Sequence, residues 1–472
     1  MLFNTLDFAV FLIVSLSVFY ALPRRLRNPF LLVASYAFYG FWNWRFCGLL
    51  LLSTVVDYWA ALRMETCEDQ RRRKHYLWIS LGVNLSILGF FKYCNFFIDS
   101  FTAVLDSIGI DAPDYVLRIA LPVGISFYTF QTLSYTIDVY RREMVPTRKF
   151  LDFALFVALF PQLVAGPIER AKRILPQIVE RRHASWKDVQ SGSWLIYWGW
   201  FKKVYVSDNV ARIVDTVYGA GAEPTGPEVL LALWAFAVQI YCDFSGYSDM
   251  ARGVARLFGY NLMLNFNLPY FATNPQQVWR RWHISLSTWL RDYVYIPLGG
   301  NSGGRWKQNR NLFLTMLWAG LWHGASWTYV VFGAYHGALL AIHRELKPAL
   351  KKIDPVSTVA RSAWWLFRVG CFFHLWLLGL LLFRAVSFEQ AASLGYILFT
   401  NTDPGFVYDW IPPFLMFSAP LLIVQIWQGA TRDLEVPLRW PMPIRALLFA
   451  AMFLAIVFLG EDHGEPFIYF QF

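Results

Sequence analysis

Charge is scarce in this chain. Asp, Glu, Lys and Arg make up 16% of its 472 residues and apolar side chains 57%, whereas an ordinary soluble domain is about a quarter charged and half apolar. The mean hydropathy of +0.38 points the same way. Cysteine is sparse too. Cys47, Cys67, Cys94, Cys242 and Cys371 are scattered without a CxxC or a Cys/His spacing, so neither a disulfide framework nor a structural zinc is expected, and no other metal site is indicated. A GxSxG elbow, a P-loop, an HExxH helix, a dinucleotide fingerprint and an internal repeat are all missing. Residues 1–7 lack a basic n-region, and the first apolar run ends at Pro23-Arg24-Arg25 rather than at a small-residue cleavage site. The start of the chain is therefore expected to be a membrane helix, not a cleaved signal.

What is present is a series of near-chargeless runs, at 6–22, 30–44, 46–62, 76–91, 363–383, 411–428 and 446–460. At 1.5 Å per residue these approach the roughly 30 Å hydrocarbon core of a bilayer. The expected fold class is all-α: a polytopic integral membrane protein with about ten to twelve membrane helices. We read one domain over residues 1–472, comprising N-terminal helices (1–140), a core (141–350) and C-terminal helices (351–472).

The net charge of +10 is concentrated in short loops at 23–28, 63–75, 141–149 and 170–187, with 344–352 and 431–439 as further candidates. Segment 99–114 holds four Asp and no Lys or Arg, 387–410 is acidic, and so is the tail after Gly460. This is the positive-inside pattern; it implies a lipid bilayer rather than a nucleic-acid partner, and places both chain ends outside. Two stretches break the alternation. Segment 151–167 is apolar but interrupted by Pro161, Gly166 and Pro167, which suits a re-entrant hairpin. Segment 270–310 is too polar to span and is expected to form semi-buried helices on the cytoplasmic side.

Three stretches carry groups capable of chemistry. Y-C-D-F-S-G-Y-S-D-M-A-R at 241–252 puts Asp243, Ser245 and Asp249 at the end of an apolar run. It reads either as a helix end with Asp249 and Arg252 paired at i,i+3 or as the polar wall of a cavity. Trp279, Arg280, Arg281 and His283 form a second cluster. Arginines among tryptophans are a common membrane-surface anchor, and they also suit a phosphate-bearing ligand. The third stretch, A-G-L-W-H-G-A-S-W-T-Y-V-V-F-G-A-Y-H-G at 319–337, holds His323 and His336 without a single charged neighbour. Ionisable groups inside membrane segments are costly and tend to face an interior cavity. The two histidines are 13 positions apart, about 220° around one straight helix, and so cannot share a face of it. His323, flanked by Trp322, Gly324 and Trp327, is the better candidate for a general base, and Gly324 would let a backbone or a narrow substrate come close.

R-R-W-H-I-S-L-S-T-W-L-R-D-Y at 280–293, L-W-H-G-A-S-W at 321–327 and H-G at 336–337 resemble the membrane-bound O-acyltransferase family. Within it the likeness is to membrane subunits of bacterial polysaccharide O-acetylation, alginate above all. L-P-V-G-I-S-F-Y-T-F-Q at 121–131, F-P-Q-L-V-A-G-P-I-E-R at 160–170, D-F-S-G-Y-S-D-M-A at 243–251, Y-I-P-L-G-G-N at 295–301 and the C-terminal F-I-Y-F-Q-F extend it along nearly the whole chain. The resemblance implies a ring of helices around a central tunnel in a bacterial inner membrane, without a permanently bound cofactor. It assigns the family's near-invariant histidine to His323 and a second, partly conserved one to His283. Trp279, Arg280 and Arg281 would line the donor's entrance, with Asp243, Ser245, Asp249, Trp322, Trp327 and His336 as further candidates for the tunnel wall. Acetyl-CoA or an acyl carrier protein would supply acetyl. An SGNH-hydrolase-like partner outside would complete transfer to the polysaccharide. The competing readings are a transporter or flippase without bond-making chemistry, and an acyltransferase with a lipid or protein acceptor.

Overall fold

A computed structural model of the protein describes residues 1–110, 117, 119–164, 166–180, 183–355, 357–461 and 467–468. Part of the acidic 99–114 segment, the tail acids Asp462 and Glu465 and most of the F-I-Y-F-Q-F motif lie outside the described residues. Among those described the regular structure is helical throughout, as the hydropathy pattern requires. Among the described residues six helices are long and apolar enough to cross a membrane: Phe46–Thr66, Gln70–Ser107, Gly226–Leu257, Thr358–Arg384, Val407–Thr431 and Met442–Leu459. The protein is thus a multi-pass membrane protein. Six is fewer than the ten to twelve expected. Arg24–Asn43 and Trp327–Lys352 are long enough to cross but carry charged or polar ends, and Leu6–Ala21 is apolar but has only 16 residues.

The chain divides into two compact units, Met1–Ser193 with Ala251–Met263, and Trp194–Met250 with Leu264–Phe472. In the first, α1 (Leu6–Ala21), α2 (Arg24–Asn43), α3 (Phe46–Thr66) and α4 (Gln70–Leu88) follow one another. A π-helical turn then leads into α5 (Cys94–Ser107). After α6 (Ile125–Tyr140) come the short α7 (Phe150–Ala158), α8 (Phe160–Leu163) and α9 (Ala171–Glu180). Polar side chains fix the crossings that apolar surface alone would leave free to slide. Asp57, on α3 and fully buried, accepts from Ser80 Oγ (2.6 Å) and Asn84 Nδ2 (2.9 Å) on α4. Ser80 Oγ also lies 3.1 Å from Thr136 Oγ1 on α6. Arg73, buried in the first turn of α4 although the sequence places it in the basic 63–75 segment, donates to Met64 O, Val139 O and Tyr140 O, capping the C-terminal ends of α3 and α6.

The 151–167 stretch is broken, as its Pro and Gly content requires. Helix α7 has nine residues, about 14 Å, too short to cross. Its break at Leu159 releases backbone groups inside the protein, and side chains capture them. Gln131 Nε2 and Gln162 Nε2 each donate to Phe156 O at 2.6 Å, and Ser35 Oγ accepts from Phe160 N at 3.1 Å. Irregular backbone at this depth persists only when it is satisfied in this way.

The second unit contains the end of α10 (Trp186–Trp200), a π-helical segment (Phe201–Ser207), α11 (Asp208–Tyr218) and most of α12 (Gly226–Leu257). Then come the short α13 (Pro275–Trp279) and α14 (Ile284–Leu290), and the hairpin of α15 (Gly304–His323) with α16 (Trp327–Lys352). Helices α17 (Thr358–Arg384), α18 (Phe388–Thr400), α19 (Val407–Thr431) and α20 (Met442–Leu459) complete it. The hairpin closes on glycines. A Cβ on Gly320 would lie 2.1 Å from Tyr329 O, and one on Gly333 would lie 2.3 Å from Met316 O. Only the missing side chains let the two backbones approach this closely.

Candidate active site

The polar 270–310 stretch folds into short helices tied down by asparagines. Asn274 caps α13, its Oδ1 accepting from Gln277 N at 2.9 Å. Asn265 holds the start of α14. Its carbonyl accepts from Ile284 N (2.9 Å) and its side-chain oxygen from Ser285 N (3.2 Å) and Ser285 Oγ (2.9 Å). His283 stands at the N-cap of α14 with φ 43° and ψ 53°, a left-handed conformation uncommon outside Gly, Asn and Asp. Its Nδ1 accepts from Leu286 N at 3.4 Å. The ring is fully buried, and burial lowers its pKa to about 3. It is therefore neutral at neutral pH, and because Nδ1 is an acceptor the proton resides on Nε2.

His323 is the last residue of α15. The chain turns at Gly324, and Ser326 caps α16, its Oγ accepting from Thr328 N at 3.3 Å. His323 and His336 thus belong to two helices of a hairpin, and the single-helix geometry expected for them does not apply. The ring centroids of His323 and His283 lie 6.4 Å apart. Aromatic rings surround the pair: Phe244 is 4.7 Å and Trp322 5.5 Å from His283, and Phe383 is 5.3 Å and Phe332 5.9 Å from His323. Tyr329 fills the space left by Gly324, where a Cβ would come 2.2 Å from Tyr329 Cε2. The side chain packed against Gly324 is thus one of the protein's own.

Phe332 also touches His336, at 4.5 Å, and so connects it to His323. His336 is fully buried against Trp376 (5.0 Å) and Trp279 (5.3 Å), and among the described residues neither of its ring nitrogens has a hydrogen-bond partner. Next to Trp279, Arg280 opens onto a cavity of about 290 Å³ that it lines together with Lys347, Lys351, Arg368, Asn274 and Asp354. Four cations face one carboxylate there. Arg281 lines a different cavity, so the paired arginines that the sequence sets side by side are separated. Trp322 is buried beside His283, whereas Trp327 is 53% exposed at the start of α16.

Asp243, Ser245 and Asp249 form the polar wall of an ionic cluster whose cations the sequence reading passed over. Lys202 Nζ donates to Asp249 (2.7 Å) and Ser245 (2.9 Å); Lys203 Nζ bridges Asp243 and Asp208 at 2.8 Å each. The π-helical segment turns both consecutive lysines inward, at 1% exposure apiece. Buried charge is tolerated only when paired in this manner. The signal was legible as two lysines inside an otherwise apolar run, W-L-I-Y-W-G-W-F-K-K-V. No cluster of three or more His, Cys, Asp or Glu side chains suited to a metal occurs among the described residues.

The model of the membrane-bound O-acyltransferase family matches residues 30–384, and the chain belongs to that family. It is a multi-pass membrane O-acyltransferase. It is 44% identical over 396 residues to a probable alginate O-acetylase AlgI of Azotobacter vinelandii, covering 84% of this chain and 77% of that one. It is 35% identical over 426 residues to a peptidoglycan O-acetyltransferase of Helicobacter pylori, covering 84% and 79%. A teichoic acid D-alanyltransferase of Bacillus subtilis matches at 29% over 248 residues, 49% of this chain and 60% of that one.

Proposed function

We propose that the chain takes acetyl from a cytoplasmic thioester and passes it across the bacterial inner membrane for O-acetylation of a polysaccharide outside, alginate or one like it. The pairing of His283 with His323 in an aromatic enclosure carries this reading. Relatives named for alginate, peptidoglycan and teichoic acid support a polymer as the final acceptor.

In this mechanism His323 takes the proton of an acceptor hydroxyl as its oxygen attacks the thioester carbonyl. The carbonyl oxygen gains negative charge and receives a hydrogen bond from Nε2–H of His283, which is neutral and presents a donor there. The C–S bond then breaks, and the proton held by His323 leaves with the thiolate. Holding both substrates in one narrow site removes entropy from the barrier, a term of several kcal/mol. The basic cavity beside Arg280 receives the phosphate-bearing part of acetyl-CoA or of a carrier's prosthetic arm, and the contacts from Trp279 through His336 and Phe332 lead from it to His323. An SGNH-hydrolase-like partner outside completes transfer to sugar. The basic loops lie in the cytoplasm and both chain ends outside.

The test is polysaccharide O-acetyl content in a strain lacking the gene, complemented with wild type, His323→Gln or His323→Ala at matched membrane levels. Loss of acetylation with both variants is expected. Full acetylation with His323→Gln would remove the general base and favour a transporter.

A further inference from the structure

A second cavity, of about 1000 Å³, lies between α17 and α19 in the second unit. Its walls are apolar and its outer side is open: Trp365 (43% exposed) and Leu366 (62%) come from α17, and Leu422 (51%) and Ile426 (55%) from α19. Polar side chains complete the lining. Arg281 and Arg432 line it together with the side-chain amides of Asn267 and Gln428, and no carboxylate lines it. Among the described residues neither arginine makes an ion pair. The one hydrogen bond from the Arg281 guanidinium goes to Leu268 O, at 3.3 Å, and the neighbouring Asp433 is engaged by Arg439 at 2.8 Å.

We infer that this groove binds one phospholipid with an anionic headgroup, its phosphate held by Arg281 and Arg432 and an acyl chain laid along Trp365, Leu366, Leu422 and Ile426. Charge complementarity and depth carry the inference. The lining residues of α17 fall within its first four turns and those of α19 within its last three. The start of α17 follows the basic C-terminal end of α16, and the end of α19 leads into the basic 431–439 segment, so the arginines sit at headgroup level and the apolar walls at the start of the hydrocarbon. A free phosphate would satisfy the arginines but leave the long apolar part empty. A zwitterionic lipid would fill the apolar part and gain less at the arginines. The groove also reaches the proposed catalytic segment. Arg281 is two residues before His283, and its carbonyl accepts from Asn267 N at 2.8 Å. A seated headgroup therefore braces the crossing that presents His283.

Trp365 reports occupancy directly. The full-length protein in neutral-detergent micelles is titrated with phosphatidylglycerol or phosphatidylcholine brominated on the acyl chain, and the quenching attributed to Trp365 is the difference from Trp365→Phe. The expected result is preferential quenching by phosphatidylglycerol, falling roughly fivefold with Arg432→Gln and again with Arg281→Gln, as about one basic-residue increment each. Arg432→Lys should retain most of the preference, which separates lost charge from lost folding. Glycerol phosphate at millimolar concentration should not relieve the quenching. Equal quenching by the two lipids, a preference indifferent to Arg432→Gln, or displacement by glycerol phosphate would each overturn the proposal. The last of these would leave only an anion site.

Discussion

The ring of His283 lies 6.4 Å from that of His323 and is inclined 64° to it, although 40 residues separate them and one caps a short helix while the other ends a long one. Their surroundings differ. His283 is locked by Leu286 N into an Nε2–H tautomer and kept neutral by burial, so it is a donor and not a base. Replacing it with Gln preserves a donor, whereas Ala removes one. His283→Ala should lower the acetyl-transfer rate by about 10²–10³, in the range for loss of an oxyanion donor, and His283→Gln by less. Initial rates at saturating donor check this; equal losses would place the role of His283 elsewhere.

The depressed pKa of His283 makes stability depend on pH. Below about 6.5 the unfolded chain protonates this histidine, but the folded one does not until about 3. The unfolded state thus binds more protons in that window, and stability falls as pH falls, by at most about 1.4 kcal/mol per pH unit from this group. The apparent melting temperature of the wild type should drop more between pH 7 and pH 5.5 than that of His283→Gln. Parallel drops would contradict the buried neutral ring.

Gly324→Ala tests the packing of the hairpin turn. Its Cβ would meet the ring of Tyr329 at 2.2 Å, and neither group has room to move without disturbing Phe383, 5.0 Å from that ring and itself against His323. Overpacking of this kind costs about 1–3 kcal/mol. We expect reduced thermal stability and reduced turnover together, with Gly324→Ala/Tyr329→Leu recovering part of both.

Arg280→Gln and Lys347→Gln should each raise KM for the thioester donor by about tenfold, the loss of one charge-assisted contact, with kcat little changed. The effect should shrink at high salt. A fall in kcat at constant KM would move these residues from donor binding to chemistry.

Much of this arrangement was legible in the sequence, and what was not has identifiable causes. Hydropathy disclosed the helical class, and Pro161 and Gly166 disclosed the broken segment. Composition could not disclose that Gln131, Gln162 and Ser35 would satisfy the break, because Ser35 and Gln131 come from the distant α2 and α6 and Gln162 reaches back across the break only once the segment has bent. Asp57 was hidden inside a run read as near-chargeless, since one carboxylate hardly changes the average hydropathy of 17 residues. Its replacement by Ala would leave Ser80 Oγ with only Thr136 Oγ1 (3.1 Å) and Asn84 Nδ2 with only Ser80 O (2.9 Å), at about 0.5–1.5 kcal/mol for each hydrogen bond lost. The adjacent arginines read as one feature, yet Arg280 and Arg281 face separate cavities because α13 ends between Trp279 and Arg280. Lys202 and Lys203 escaped notice because an ordinary helix would turn one of two consecutive lysines outward; the π-helical segment buries both.

The most direct measurement is acetyl transfer by the purified, reconstituted protein from an acetyl thioester to a soluble hydroxyl acceptor, comparing wild type with His323→Gln. Glutamine keeps a hydrogen-bonding side chain of similar reach but takes no proton at neutral pH. The account predicts a fall in kcat of about 10²–10⁴, the usual range for removal of a general base, with donor binding unchanged. Turnover within a few-fold of wild type would contradict it, and His323 would then be a packing residue of the aromatic enclosure.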